Sequence, residues 1–193
     1  MALTTYTIGE VLTAASLNDN LAYAVTVPAA VPGGLVCVKA ETAFSAVSSI
    51  TADSIFTSSY TNYLIQITWT GGTGIGLKLR AAGVSASTNY SWLRIYAYGT
   101  TIGVSTSAST TSWTLNNNYS GVQASIPITL YSPQLAQVTS MDSMAVGGNG
   151  ALTSPEADRY SGNHTTATAY DGFEITGTTI TGFYSVYGYS KVV

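Results

Sequence analysis

The sequence predicts an all-β fold, an antiparallel β-sandwich or jelly roll with a short N-terminal helix and an extended arm. From Leu35 onward apolar and polar residues alternate with a period of two, as in half-buried strands. Gly, Asn, Ser and Pro turns separate about eight to ten such segments. Helical periodicity does not recur after the first segment. An up-and-down barrel is the alternative architecture.

The N-terminal stretch carries the one helix signal. Thr13 can serve as N-cap, and Leu12 and Leu17 occupy the two hydrophobic-staple positions. This predicts a helix over residues 14 to about 23, which is too short to be stable alone and must dock on something. We therefore expect residues 1–34 to form an anchoring arm and residues 35–193 to form the β-sandwich. The side chains expected to anchor the arm are Val11, Leu12, Leu17 and Leu21.

The uncharged stretch from residue 21 to residue 38 is predicted to be an extended linker. It contains Pro28, Pro32, Gly33 and Gly34, and a proline in a helix interior costs about 3 kcal/mol. A membrane-spanning helix is therefore not expected here.

A hairpin is predicted around the glycine-rich segment 71–74. Residues 63–69 alternate as a half-buried strand, with Tyr63, Ile65, Ile67 and Trp69 on one face. After the glycines, residues 75, 77 and 79 are apolar and face inward, and the basic residues 78 and 80 face outward. A glycine-rich turn between two alternating segments is typical of a hairpin.

The remaining strands follow the same pattern. Residues 92–98 place Leu93, Ile95 and Ala97 on one face, and Trp92, Arg94, Tyr96 and Tyr98 on the other. Pro127 lies on the outward face of the next strand and predicts an edge strand or a bulge. The inward residues of that strand are predicted to be Val122, Ala124, Ile126, Ile128 and Leu130, and further strands are predicted at 138–146, 172–176 and 182–189.

Charge is the unusual feature of the composition. Asp, Glu, Lys and Arg make up 8% of residues and the net charge is −3, whereas about 25% charged residues is typical. A nucleic-acid binder needs a basic face to neutralise phosphates, so no nucleic-acid partner is expected. A surface built from Ser, Thr, Asn, Tyr and Gly favours close association, here with copies of the same chain. A secreted β-protein with an uncharged surface is the alternative.

Neither a cofactor nor a metal site is expected. Cys37 is the only cysteine and His164 the only histidine, so zinc lacks sufficient ligands. Cys37 alternates with apolar neighbours, which predicts a small buried side chain. The carboxylates of the C-terminal third lack EF-hand spacing and are predicted to lie at a solvated loop edge: Glu156, Asp158, Asp171 and Glu174.

Catalytic arrangements are not indicated. A Ser-His-Asp triad would need His164, whose surroundings from residue 161 to residue 166 have the composition of a polar loop. Asp142, in a strand pattern, and Asp171, near a turn, could pair as in a glycosidase, but the low acid count argues against it. We therefore predict that the protein is not an enzyme.

Aromatic residues are the strongest candidates for a recognition surface. Fourteen Tyr and three Trp supply the rigid amphipathic contacts that protein interfaces and sugar-binding faces use. Ordinary cross-strand packing is the alternative explanation. The tyrosines predicted to form an outer patch, for a receptor or an interface, are Tyr96, Tyr98, Tyr184, Tyr187 and Tyr189.

Two stretches resemble parts of tailed-bacteriophage virion proteins. Residues 6–20, with the core Gly9-Glu10-Val11-Leu12-Thr13-Ala14-Ala15-Ser16-Leu17-Asn18, resemble an N-terminal segment of tail-fibre and minor tail proteins. The second stretch is similar to a β-sandwich module of phage tail and capsid-surface proteins. It runs from residues 56–65 through 77–80, 89–92 and 131–133 to 182–189.

The resemblance implies a virion structural protein that is assembled in the host cytoplasm and displayed on the particle. The implied partners are further copies, commonly in a homotrimer, other capsid or tail proteins, and a host surface glycan. The chain lacks the fibrous shaft of a long tail fibre, which favours a compact appendage or a capsid decoration protein. A secreted carbohydrate-binding lectin is the alternative. An RNA-packaging coat protein is disfavoured, because residues 1–38 contain no Lys or Arg.

Overall fold

The structure is a computed structural model that describes residues 34–72, 74–116, 123–148 and 155–191. In these ranges the chain forms eleven strands and no helix. The predicted helix and its side chains Val11, Leu12, Leu17 and Leu21 lie outside them. The strands are β1 Leu35–Ala52, β2 Asn62–Thr70, β3 Ile75–Ala81, β4 Val84–Ser85, β5 Tyr90–Tyr98, β6 Thr101–Thr110, β7 Trp113–Asn116, β8 Ala124–Tyr131, β9 Thr139–Gly148, β10 Pro155–His164 and β11 Gly172–Tyr189.

The strands form one curled antiparallel sheet, so the all-β antiparallel part of the prediction is confirmed. Their order is β4-β3-β11-β2-β8-β9-β10-β5-β6, with β1 on β11 and β7 on β3. The two longest strands, β1 and β11, pair from Leu35 opposite Tyr189 to Ala52 opposite Phe173. The first and last strands of the compact unit Gly34–Lys191 are therefore paired along most of their length.

The predicted hairpin between β2 and β3 is wrong. Both strands pair antiparallel with the same edge of β11, β2 through Thr70 opposite Thr181 and β3 through Gly76 opposite Thr176. They therefore run in the same direction along β11, and the glycine-rich segment between them is a bend rather than a reversal. The predicted inward residues of β3, at positions 75, 77 and 79, are buried.

Neither alternative predicted from Pro127, an edge strand or a bulge, is found, because β8 has a neighbour on each side and keeps one register with each. β8 lies between β2 and β9, and Pro127 is opposite Gln66 of β2. On the β9 side, Ser125 and Ile128 have partners but the two residues between them do not. Proline has no N–H to donate, so the ladder has a gap there. The inward residues from 124 to 130 are buried as predicted, and Val122 lies outside the described residues.

The core residues of β2, β3 and β8 follow the predicted period of two, whereas the start of β1 is reversed. Tyr63, Ile65, Ile67 and Trp69 of β2 are buried, as predicted. Cys37 of β1 is exposed, so the prediction of a buried thiol is wrong. Burial does alternate along residues 35–38, but Val36 and Val38 are the more buried residues, and Leu35 and Cys37 are exposed.

Candidate functional site

Four neighbouring strands, β9, β10, β5 and β6, present one side to the interior and one to the exterior. On β5, Tyr90 and Arg94 are buried, whereas Leu93 and Ile95 are exposed. Residues opposite one another in a ladder share a side, so the register extends the exterior side across all four strands. We call it the outer face; its rows are Val146–Ala157–Ala97–Ile102, Met144–Arg159–Ile95–Val104, Asp142–Ser161–Leu93–Thr106 and Ser140–Asn163–Ser91.

The outer face concentrates exposed apolar side chains. Thirteen large apolar residues of the described chain are exposed, and six of them lie here. Ile102 is 78% exposed and Val104 is 63% exposed. Exposed apolar side chains in adjacent rows, rather than scattered singly, mark an interaction surface. The six are Leu93, Ile95, Ile102, Val104, Met144 and Val146.

One ion pair lies in the middle of this apolar surface. Arg159 on β10 donates from Nε to Asp142 Oδ1 on β9 at 3.2 Å. Ser161 donates to the same carboxylate oxygen at 3.1 Å. These are the two charged residues in the four rows, and they neutralise each other. The outer face therefore carries no net charge and does not repel an identical face.

The end of the outer face at Asn163 is polar and hollow. A depression of about 440 Å³ lies there, where side chains are small. Ser140 donates to Asn163 Oδ1 at 2.8 Å and Thr106 donates to the Trp92 carbonyl at 3.0 Å, so part of this polar lining is satisfied within the protein. The depression contains hydroxyl and amide groups and no ionic group, which suits a neutral polar ligand. Its polar side chains are Ser91, Thr106, Ser107, Ser140, Ser161 and Asn163.

Beneath the outer face lies a buried charge cluster. Arg94 donates to Glu156 Oε1 at 2.5 Å and to Asp158 Oδ1 at 2.9 Å, and all three side chains are buried. The Arg94 guanidinium lies 4.4 Å from the centre of the Tyr96 ring. Burial, then the Asp158 charge, raises the pKa of Glu156 above its usual value, and Arg94 opposes this. Arg94 engages both carboxylates, which indicates a structural cluster rather than a general base.

His164 belongs to a second buried cluster, so its assignment to a polar loop is wrong. It ends β10 and stacks on the Tyr90 ring at 4.2 Å between centroids. Its Nε2 lies 2.5 Å from the Tyr170 hydroxyl and its Nδ1 lies 3.2 Å from the Asn89 carbonyl. Desolvation lowers its pKa below the usual value. The neutral ring, donating from Nδ1 and accepting at Nε2, satisfies both contacts.

The predicted tyrosines do not form one patch. Tyr184 is 5% exposed and packs edge-on against Phe173, so its place in an outer patch is wrong. Tyr96 lies on the interior side of β5, beneath Arg94. Tyr187 is half-buried and Tyr189 exposed, both on the opposite side of β11 from Tyr184. The side chain of Tyr98 lies outside the described residues.

The structure separates the carboxylates considered for catalysis or calcium. Asp142 on β9 and Asp171, just before β11, belong to parts of the sheet separated by β2 and β8. Glu156 and Asp158 are buried on β10, so their prediction as a solvated loop edge is wrong. Glu174 faces Lys78 at 3.7 Å. Within the described ranges, no three His, Cys, Asp or Glu side chains are grouped to hold a metal ion.

The sequence analysis did not predict the outer face, although the sequence contains apolar alternation in this region. Leu93, Ile95, Ile102 and Val104 alternate along two consecutive segments, but apolar alternation alone does not say which side is covered. The deciding information is the polar content of β10, where Glu156 and Asp158 share a side with Tyr160. No strand was predicted at β10, so the sequence did not reveal that the apolar side of β5 faces outward.

Comparison with family models, with curated proteins and with solved structures returns no match. Among the residues that the structure describes, no helix has the length and hydropathy needed to cross a membrane.

Proposed function

We propose that this chain is a non-enzymatic structural protein of a bacteriophage virion, displayed on the particle surface and assembled with copies of itself. The outer face carries the proposal, because six large apolar side chains lie exposed in adjacent rows of neighbouring strands. Burying such a surface against protein is favourable in water. The likeness of residues 6–20 to tail-protein segments supports the virion setting and an anchoring role for residues 1–34. Within this proposal the curled sheet is a jelly-roll type of sandwich.

A second copy of the chain is the occupant that the outer face fits. The face holds one cation and one anion, Arg159 and Asp142, already paired at 3.2 Å. In a two-fold arrangement each Arg159 can also approach the other copy's Asp142, so no like charges need to meet. The outer face has four strands about 4.8 Å apart and four rows about 7 Å apart, so its area is about 500 Å² per copy. Two copies would bury about 1,000 Å², the lower limit for a specific interface.

Sedimentation velocity of the full chain tests the self-assembly. The wild type is expected to be oligomeric, and the double variant Ile95→Lys with Met144→Lys is expected to be monomeric, because two buried lysines would oppose association. Val84→Lys is the matched control: Val84 is also exposed, at 71%, but lies on β4. It should leave the oligomer intact. A monomeric wild type, or equal behaviour of both variants, would contradict the proposal.

The virion setting needs a separate measurement. Antibodies against residues 34–191 and quantitative mass spectrometry of purified phage particles should find the chain in the particle. Many copies per particle, with capsids that lose heat or salt resistance without the protein, would identify a decoration protein. Few copies, with glycan binding, would identify a tail-associated receptor binder. Absence of the chain from particles would contradict the virion proposal.

The second candidate is a secreted carbohydrate-binding lectin, and the polar depression of about 440 Å³ favours it. Its hydroxyl and amide lining matches the donors and acceptors of a neutral sugar. A glycan array and an assay of attachment to phage particles, each with the full chain and with a variant lacking residues 1–34, separate the two candidates. A lectin should bind equally with and without the arm. The virion proposal instead expects loss of particle attachment when the arm is removed.

A further inference from the structure

Strands with a single neighbour differ in how their free edges are protected. Within the described ranges, β1, β4, β6 and β7 each pair on one side only. A free edge offers unpaired N–H and C=O groups to another chain, and proteins block it with charges, proline, irregular backbone or short strands. Comparing the four edges therefore shows which one is open to pairing.

Three of the four edges carry such protection. β1 has the charged residues Lys39 and Glu41, a positive φ at Ala46, and four register shifts along its pairing with β11. β4 is two residues long and β7 is four residues long. None of these three offers a long regular edge.

β6 lacks this protection from Thr101 to Ser107; its one positive φ, at Ser109, and its register shift lie beyond that segment. Its ten residues contain no charge and no proline. From Thr101 to Ser107 each residue faces the next residue of β5 without a shift, and the first irregularity comes beyond Ser107. Every second residue of this segment directs its N–H and C=O away from β5. Ile102 and Val104, the two most exposed residues of the outer face, lie on it.

We propose that β6 pairs antiparallel with β6 of a second copy, so that one sheet runs through both subunits. The inference rests on the self-assembly through the outer face proposed above and adds a second contact to it. Antiparallel pairing about a two-fold axis is self-complementary, and the absence of charge on β6 means that no like charges come opposite each other. Pairing of residues 101–107 would form about six to eight backbone hydrogen bonds.

This pairing also explains where the apolar side chains lie. Ile102 and Val104 of both copies come together on the same side of the joined sheet, and the outer faces become one apolar surface of twice the width. The joined surface is still open in this pair, so two such pairs bury it by stacking their outer faces, as proposed above. Because the axis is two-fold, the number of subunits is even, in contrast to the trimer that the resemblance implies.

Disulfide cross-linking of the full chain tests the pairing. The exposed Cys37 is first removed by Cys37→Ser, and single cysteines are then introduced by Ile102→Cys, Val104→Cys or Thr106→Cys. Each variant is oxidised alone and in equal mixtures with the others. A disulfide needs Cα atoms within about 7 Å, and in antiparallel pairing opposite residues have a constant sum of residue numbers. The fastest cross-links should therefore share one sum, and combinations whose sum differs by four should form none.

Ala157→Cys, in the same Cys37→Ser background, is the matched control on β10 of the outer face. In edge pairing, residue 157 of one copy lies several strands from residue 157 of the other. The distance between their Cα atoms exceeds the disulfide limit, so this variant should cross-link at least roughly tenfold more slowly. Cross-linking at Ala157→Cys but not on β6, or a trimer by sedimentation, would overturn the edge pairing and leave the proposed self-assembly standing. A monomeric Cys37→Ser protein would overturn both. Circular dichroism confirms that each variant is folded.

Discussion

Arg94 binds two buried carboxylates, while its neighbours Leu93 and Ile95 point into solvent. Charged side chains are almost never buried unless paired, and here the pairing uses two strands, with Glu156 and Asp158 on β10. The arrangement leaves the apolar residues of β5 for the outer face. A cluster of this kind contributes little net stability, but removing one partner leaves an uncompensated buried charge.

Arg94→Met should destabilise the protein strongly, because Glu156 and Asp158 would remain buried without a cation. We expect a loss of about 3–5 kcal/mol in the free energy of unfolding, measured by urea denaturation. Arg159→Met is the matched control. It removes an exposed partner of Asp142 and should change stability by less than about 1 kcal/mol. Equal losses would show that the Arg94 cluster is solvated.

His164 should make the protein less stable in mild acid. Burial lowers its pKa below the ordinary value of 6.5, so the unfolded chain binds the proton more readily than the folded one. The stability that the neutral ring contributes is complete above about pH 6.5 and is lost as the pH falls towards the lowered pKa.

Urea unfolding of wild type and His164→Gln at about pH 7.5 and about pH 5.5 checks this, since only the wild type has an imidazole that titrates in that range. Glutamine retains an acceptor for the Tyr170 hydroxyl. The wild type should lose more stability than the variant between the two pH values. The same loss in both proteins would assign the pH dependence to other groups.

At the scale of elements, the bend between β2 and β3 determines which strands become neighbours. Gly71 and Gly72 have φ values of +77° and +71°, which L side chains rarely adopt. A Cβ on Gly72 would lie 2.5 Å from the Thr178 carbonyl oxygen of β11. The chain therefore follows β11 through the bend, with β2 and β3 on one line. β8 then extends the sheet from β2, and β4 and β7 extend it from β3.

Gly72→Ala and Gly74→Ala separate the two costs of this bend. Gly74 has a similar φ of +69° but open space at its Cβ position. Gly74→Ala should therefore cost about 1–2 kcal/mol for the backbone conformation alone. Gly72→Ala should cost about 1–3 kcal/mol more, because its Cβ also overlaps the β11 backbone. Urea unfolding measures both, and a smaller loss at Gly72 would mean that the bend does not pack against β11.

At the scale of the whole molecule, the fold closes through contacts distant in sequence. β11 pairs with β1 along one edge and with β2 and β3 along the other, so the last strand holds together the first three. These contacts cannot form until the C-terminal strand is present. Folds dominated by such pairings fold slowly, because loop closure precedes their gain in contacts.

Deleting residues 182–193 should abolish cooperative unfolding, because the first half of β1 would lose its partner and β2 would lose one of its two. Near-ultraviolet circular dichroism, which reports fixed aromatic packing, should lose its signal. A deletion of residues 190–193, which leaves β11 complete, is the control and should retain a cooperative transition. Retained cooperativity in the longer deletion would show that β11 is dispensable.

The sequence by itself determined the class of fold and most of the core. Alternation with a period of two is a local property of strands, so it identified the inward residues of β2, β3 and β8 without knowledge of their neighbours. The same local rule gave the alternation of β5, but not its orientation. Residues 35–38 also alternate, but the alternation did not show that the side carrying Cys37 is the exposed one.

Tertiary structure alone decided which strands are neighbours and which side of each strand is covered. Strand pairing depends on contacts between residues far apart in the chain, so the glycines at 71 and 72 read equally well as a hairpin turn or as a bend. β10 has no apolar alternation, and its inward carboxylates are tolerable only because Arg94 of the neighbouring strand β5 forms ion pairs with them. The outer face exists because that pairing satisfies charges inside and leaves apolar side chains outside.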